Sequence, residues 1–283
     1  MKLHLILMQC IIMVIATDIN IIDLTHEFEN GTSPYWKMEN SFHFTSSFSG
    51  QTANYFYSSN SFCASEHGGT HLDAPIHFAK GKHTAGEISL KNLIATPFIV
   101  DVSSHVNNDP DFQVDEQHLM EAEKKNGKIP DGAILLLYTG LSLKYDDLSA
   151  YFGGEPQNSS TYHFPGLHPN GARWIVDNRN VSAVGIDTPS LDFGQSTLFQ
   201  SHVILFTHNI PGFENVDLTQ IEKIQSMKNP LIIALPMKIK NGSGGPLRIV
   251  AMETPTAPSA SMRNVISLFM VLACFSFAGQ FVV

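Results

Sequence analysis

An α/β chain of the mixed α+β kind is predicted by three features of the sequence. The stretches Phe98–Val102 (FIVDV) and Ala133–Thr139 (AILLLYT) are continuous apolar runs of strand length, the pattern of a sheet covered on both faces. Val114–Lys125 (VDEQHLMEAEKK) and Pro169–Asn178 (PNGARWIVDN) have helical patterning, the first closed by Asn126-Gly127. Phe42–Phe62 alternates Ser, Thr and Tyr with Phe and predicts one or two further strands. Of the 283 residues, 43% are apolar and 15% charged, which suits one well-cored domain or two small ones.

The remaining elements follow in order. Ile19, Ile21, Ile22 and Leu24 make a short first strand, ended by Asn30-Gly31. His83–Asn92 connects, and the polar stretch Leu143–Thr161, with Gly153-Gly154, predicts an exposed loop. Val181–Ile186 and Ser201–Phe206 (SHVILF) are predicted strands, Leu218–Ile224 a short helix, and Leu231–Pro236 and Leu247–Ala251 the final strands. No internal repeat interrupts this single domain, which is expected to span residues 18–258.

Both ends carry processing signals. Residues 1–17 hold Lys2, an apolar run and the small pair Ala16-Thr17, the pattern of a secretory signal peptide. Residues 259–283 begin with Ser259, Ala260 and Ser261 and end in an apolar tail, the pattern of a GPI-anchor signal, with a plain membrane tail as the competing reading. Sequons at Asn30, Asn158, Asn180 and Asn241 agree with a secreted or cell-surface address. Cys10 and Cys274 fall in these end segments, leaving Cys63 alone in the domain as a small, buried residue beside the site. The formal net charge of −9, without a basic run, argues against a nucleic-acid partner.

Chemistry concentrates in Glu66–Phe78, EHGGTHLDAPIHF. His67, His71, Asp73 and His77 all occupy odd positions, so an extended backbone would aim the four side chains at one pocket. Gly68-Gly69 and Pro75 oppose a helix. Neutral imidazole and carboxylate are ligands for zinc and similar divalent ions. Further on, His202 and Glu214 flank the loop THNIPGF and could reach the same rim of the sheet; on chemistry alone His208 is an equal candidate. Tyr35 and Trp36 follow Pro34 on a loop, where aromatics either wall a pocket or cap the core edge. His163 and His168 flank Phe164–Leu167 and, like most histidines outside the loop, read first as surface or hydrogen-bonded residues, with the pocket lining as the alternative, whereas Asp187 and Thr188 are read as buttressing a strand end.

These pieces, in order, resemble the cyclase family that includes bacterial-type kynurenine formamidase and isatin hydrolase. The family loop H-x-x-x-H-x-D-x-P-x-H is matched by His67, His71, Asp73, Pro75 and His77. Asp23-Leu24-Thr25 with Trp36, the segment Phe164–Leu167, Gly185-Ile186-Asp187-Thr188, and His202 with Glu214 match weaker signatures, and the resemblance spans about residues 19–252. It implies a swivelling β/β/α fold and a homo-oligomer, a dimer or larger. It implies two divalent ions, zinc or manganese: His67, His71 and Asp73 as ligands of the first, Asp73 bridging, His202 on the second, and Glu214 bridging. His77 corresponds to the family's proton donor and acceptor, and Trp36 to the aromatic wall. Lys37 stands where the family commonly has proline, and Glu214 stands where isatin hydrolases have an amide, which leans towards the two-metal formamidase type.

The implied activity is hydrolysis of an aromatic amide, N-formyl-L-kynurenine to L-kynurenine and formate in tryptophan catabolism. The alternatives are another cyclic amide or ester such as isatin, or a surface-anchored binding module that keeps the fold. No G-x-S-x-G elbow offers a serine nucleophile instead.

Overall fold

The computed structural model describes residues 19–106 and 109–254. The segments assigned to the signal peptide and the anchor signal lie outside the described residues. The strands are β1 (Ile21–Asp23), β2 (His43–Gln51), β3 (Phe56–Cys63), β4 (His71–Asp73), β5 (Ile94–Ala95), β6 (Pro97–Asp101), β7 (Gln113–Val114), β8 (Ile134–Tyr138), β9 (Gly166–Leu167), β10 (Ala183–Ile186), β11 (Gly212–Glu214), β12 (Pro230–Pro236) and β13 (Gly244–Glu253). The helices are α1 (Leu90–Leu93), α2 (Ser103–Val106), α3 (Glu116–Asn126), α4 (Leu148–Phe152), α5 (Pro169–Asn178), α6 (Gln200–Thr207) and α7 (Ile221–Ser226).

Strand β8 shows why the sheet forms. Ile134 and Leu136 pack into one apolar cluster with Ile22, Leu72, Ile232 and Ile249. Leu135 and Leu137 enter a second with Val184, Ile186, Leu205 and Phe206. Successive side chains thus leave on opposite faces, and both faces are covered, as the uninterrupted apolar run requires. Among the described residues nine strands make this sheet, in the order β5-β12-β13-β4-β11-β10-β8-β6, with β1 also on β13. The β11, β10, β8 and β6 pairings are parallel, whereas β4 lies antiparallel between β11 and β13. Residues 20–253 form one compact unit. Asp187 at the end of β10 accepts hydrogen bonds from Thr139 N–H, Thr139 Oγ1, Gly140 N–H and Ser142 N–H, buttressing the neighbouring strand end.

Three sequence expectations need correction. SHVILF is not a strand but most of helix α6, whose buried side is Ser201, His202, Leu205 and Phe206. A short apolar run has no decisive period, and here Asp192 tips it to a helix by accepting from the Ser201 and His202 N–H groups. The stretch 143–161 is not an exposed loop: Tyr151 and Phe152 on α4 are buried in an aromatic cluster with Tyr145, Tyr162 and Phe164. Asp147 caps α4 by accepting from Ala150 N–H, and Gly153 ends it in the left-handed conformation. Cys63 is exposed at the end of β3, not buried beside the site. His163 pairs with Asp111 and His168 caps α5, the hydrogen-bonded roles that are the first reading of both, and neither lines the pocket described below.

Candidate metal centre

The histidine loop is extended only in part. His71 and Asp73 point the same way from β4, with Leu72 directed into the core between them. His67 precedes the strand across Gly68-Gly69, and His77 closes a 3-10 turn over Pro75–His77. Gly68 is required sterically, since a Cβ there would lie 2.1 Å from the Tyr35 ring. The antiparallel register places Glu214 of β11 directly opposite His71, and α6 delivers His202 from the other side. His67, His71, Asp73, His202, Glu214 and His77 are therefore neighbours around one cavity, whereas His208 is exposed and bonded to the Ile204 carbonyl.

Two donor triads overlap at Asp73: His67, His71 and Asp73, and Asp73, His202 and Glu214, with the donor atoms of each within 4.8 Å of one another. Hydrogen positions assigned from the network give these donors a common direction. His71 Nδ1 lies 3.0 Å from the Gly69 carbonyl and donates to it, leaving the Nε2 lone pair 3.1 Å from Asp73 Oδ1 and 3.4 Å from Glu214 Oε2. His202 Nδ1 is 2.6 Å from Asp192, leaving Nε2 2.9 Å from Glu214 Oε1 and 3.4 Å from Asp73 Oδ2. Ser243 Oγ donates to Glu66 (2.6 Å), so it accepts from His67 Nε2 (2.7 Å). The His67 Nδ1 lone pair then faces Asp73 Oδ1 at 2.6 Å. Three imidazole lone pairs thus converge on two buried carboxylates. Acceptors facing acceptors at this range need a cation between them, either protons or metal, so the residues fit a divalent ion.

The electrostatics carry the same demand. Burial pushes the Asp73 carboxyl up, but the charge of His67 and hydrogen bonds from His202 and His67 overcome it and hold Asp73 well below the usual carboxylate range. Burial pushes His202 and His71 down, yet their carboxylate partners prevail and both hold protons more tightly than a free histidine. His77 differs: burial, reinforced by the neighbouring histidines against the pull of Asp73, lowers it to about 4. Its Nε2 is 3.9 Å from Asp73 Oδ2, its ring stacks on His67 at 3.8 Å, and 30% of its side chain remains exposed to the cavity.

The cavity, of about 250 Å³, is walled by Tyr35, Trp36, Phe78, Phe152 and Phe199. Trp36 meets Tyr162 edge-on at 5.2 Å and Phe199 at 6.0 Å. Phe199 and Lys37 both have positive φ, 47° and 52°. For a bulky residue such as Phe199 that backbone is strained, as is common beside functional sites. Proline, fixed near −65°, could not adopt the Lys37 conformation, so the chain after Trp36 takes its own course.

Several supporting residues carry no motif. Asp192 both starts α6 and holds His202. Tyr151 donates to Asn215 Oδ1 (2.9 Å), and Asn215 Nδ2 donates to the Gly69 carbonyl that fixes His71. Glu66 and Ser243 hold His67. Only the general need of a ligand histidine for a partner on its second nitrogen could have pointed to them.

The family model described as "Putative cyclase" matches residues 22–193, more than half of the sequence. The chain belongs to the cyclase family. An isatin hydrolase from Roseibium aggregatum is 27% identical over 205 residues, 70% of this chain and 75% of that protein. A kynurenine formamidase from Bordetella pertussis is 25% identical over 191 residues, 67% and 78% of the two chains. The structure of isatin hydrolase A from Ralstonia solanacearum superposes with a TM-score of 0.73 at 26% identity, covering 88% of this chain and 97% of that one. The mixed α/β architecture is thus the cyclase-like fold of the isatin hydrolases, and the chain is a metal-dependent hydrolase of the cyclase family.

Proposed function

We propose that this cyclase-family member hydrolyses the C–N bond of a small aromatic amide, with N-formyl-L-kynurenine as the first substrate to test. The observation that carries this reading is the overlap of two donor triads at Asp73 beside a histidine that belongs to neither, all opening on an aromatic cavity. His67, His71 and Asp73 would hold one ion and Asp73, His202 and Glu214 a second, zinc before manganese given the nitrogen donors. A divalent ion held there supplies Lewis acidity, polarising a carbonyl and acidifying water.

The chain's own residues do the rest. Trp36 and Phe199 pack edge-on against each other in the cavity wall, and an arene can lie on the aromatic surface they form, with its amide towards Asp73. His77, a free base at neutral pH, accepts the proton as water adds to the carbonyl carbon. It returns that proton to the amine nitrogen as the C–N bond breaks. Phe78 and Phe206, ringed about His202, keep bulk water from that side.

One observation favours a second reading. Among the described residues, those lining the cavity beyond the His/Asp/Glu cluster are uncharged, with no Lys or Arg to meet the carboxylate of an amino-acid substrate. Isatin, a neutral lactam, makes no such demand. The test is hydrolysis of both substrates by the purified protein, with and without chelator, and by His77→Ala. Chelator-sensitive, His77-dependent turnover of either arene supports the hydrolase, and the ratio of kcat/KM chooses between them; equal rates in all three preparations would refute it. The two end segments further support a cell-surface, lipid-anchored address, which release by a phosphatidylinositol-specific phospholipase would test.

A further inference from the structure

Among the described residues seven other than glycine have positive φ, and four of these are asparagines, which tolerate the left-handed backbone. The other three are Lys37, Met38 and Phe199. Lys37 and Met38 directly follow Trp36, so all three lie in the two segments that bring Trp36 and Phe199 to the cavity. Backbone strain of this kind persists only where neighbouring bonds hold it, and at Phe199 those bonds can be named.

At φ 47° and ψ 44° Phe199 sits immediately before helix α6, a position that ordinarily has extended backbone and a short polar side chain. Its carbonyl already accepts a helical bond from the Val203 N–H at 3.0 Å. The helix beyond cannot yield, because Asp192 holds the Ser201 and His202 N–H groups and the His202 ring. Any relaxation of Phe199 is therefore taken up on its other side. There its N–H donates to Ser196 Oγ at 3.2 Å, across Thr197 and Leu198, both exposed. Ser196 is itself anchored, its N–H donating to the Phe193 carbonyl and its hydroxyl to Asp192 Oδ1 at 3.4 Å. The Trp36 side repeats the device, since the left-handed Lys37 donates its N–H to the Tyr162 hydroxyl.

What the Ser196 bond keeps in place is a ring. Phe199 lies 6.0 Å from Trp36, 5.1 Å from Phe78 and 6.1 Å from His202. With the helix fixed, turning ψ from 44° to a helical value rotates Cβ by roughly 90° about the Cα–C bond and carries the ring off this position. We infer that Ser196 is a specificity-determining positioning residue: its hydroxyl keeps Phe199 left-handed and so sets the width of substrate that the cavity admits. The substrate meant is the aromatic amide of the proposed function, on which this step rests. With the bond made, the ring closes on a benzene-sized arene. With the bond broken, that contact is lost and a wider arene gains room.

Two measurements test it. Phe199→Gly and Phe199→Ala remove the same ring and differ in the backbone they accept. At a left-handed position the glycine variant melts higher, by at least about 2 °C, whereas a right-handed position reverses the order. Ser196→Ala, at unchanged metal content, is expected to raise KM for N-phenylformamide and to leave KM for N-(1-naphthyl)formamide level or lower. The naphthyl-to-phenyl ratio of kcat/KM then rises about 10-fold, and Ser196→Thr, which keeps the hydroxyl, retains the wild-type ratio. A residue that merely supported the fold would cost both substrates alike, so equal losses overturn the inference, as does an alanine variant that melts above the glycine one. Wild-type protein that hydrolyses neither formamide refutes the hydrolase reading alone. Calorimetric dissociation constants for benzamide and 1-naphthamide then decide the role of Ser196: an about 10-fold shift of their ratio in Ser196→Ala supports it, and an unshifted ratio overturns it.

Discussion

Asp192 Oδ2 lies 2.6 Å from His202 Nδ1 and accepts the His202 backbone N–H at 3.1 Å, so one carboxylate both starts helix α6 and fixes which imidazole nitrogen faces Asp73 and Glu214. Burial raises Asp192, but the hydrogen bond and charge of His202 outweigh it and hold the group ionised. Asp192→Asn keeps the shape and removes the charge. The expected outcome is a loss of about 10- to 100-fold in metal affinity, with activity largely recovered at saturating metal. Metal titration followed by mass-spectrometric metal analysis checks it, and unchanged affinity would remove Asp192 from the centre.

His77 gives the pH prediction. Its folded-state value is lowered from 6.5 to about 4, so it binds its proton only in strong acid and is a free base across the neutral range. A base with a lowered value loses function as pH falls through that value, not through 6.5. At saturating metal, kcat/KM should therefore hold from pH 8 to well below 6.5 before its acid limb begins. His77→Ala should cut kcat by about 10²- to 10⁴-fold at unchanged metal content. An acid limb centred at 6.5 would assign the essential base elsewhere.

Metal removal should be visible in stability. Without a divalent ion, three imidazole lone pairs and two buried carboxylates must be reconciled by protons, which His71 and His202 hold tightly. An ion present at about 100 times its dissociation constant adds about 2.7 kcal/mol to the folded state, so chelation should lower Tm by about 5–10 °C in a domain of this size. Differential scanning calorimetry with and without chelator measures it. The same protons must leave on loading, so metal affinity should rise with pH through the neutral range.

How legible the site was depended on how local each part was. His67, His71, Asp73 and His77 fall within eleven residues, and their chemistry shows without knowledge of the chain's path. His202 and Glu214 are legible as a pair, but the run that His202 begins reads as a strand, because six apolar residues have no period that separates strand from helix; the carboxylate that decides it lies ten residues upstream. Tyr151 was lost in a stretch whose polarity suggested an exposed loop, although its hydroxyl holds the Asn215 side chain that helps fix His71. For the sheet, β8 was plain because burial on both faces leaves an unbroken apolar run. The β2–β3 arm was visible as strand, but nothing in its alternation says that it stands apart from the sheet.

Trp36 separates substrate recognition from chemistry. Its ring is held edge-on by Tyr162 and Phe199, and the Lys37 N–H donates to Tyr162 Oη at 3.1 Å, which fixes the turn carrying it. Trp36 is not among the donor triads, and its contribution is the face it offers an arene, worth about 0.5–1.5 kcal/mol beyond buried area. Trp36→Ala should therefore raise KM for aromatic amides about 10-fold while metal content and the pH profile stay unchanged. Trp36→Phe should recover most of the loss. Steady-state kinetics on an aryl formamide and on an aliphatic formamide distinguishes the cases: a wall acts on the aryl substrate alone, whereas equal losses on both would mean that Trp36 serves the centre itself.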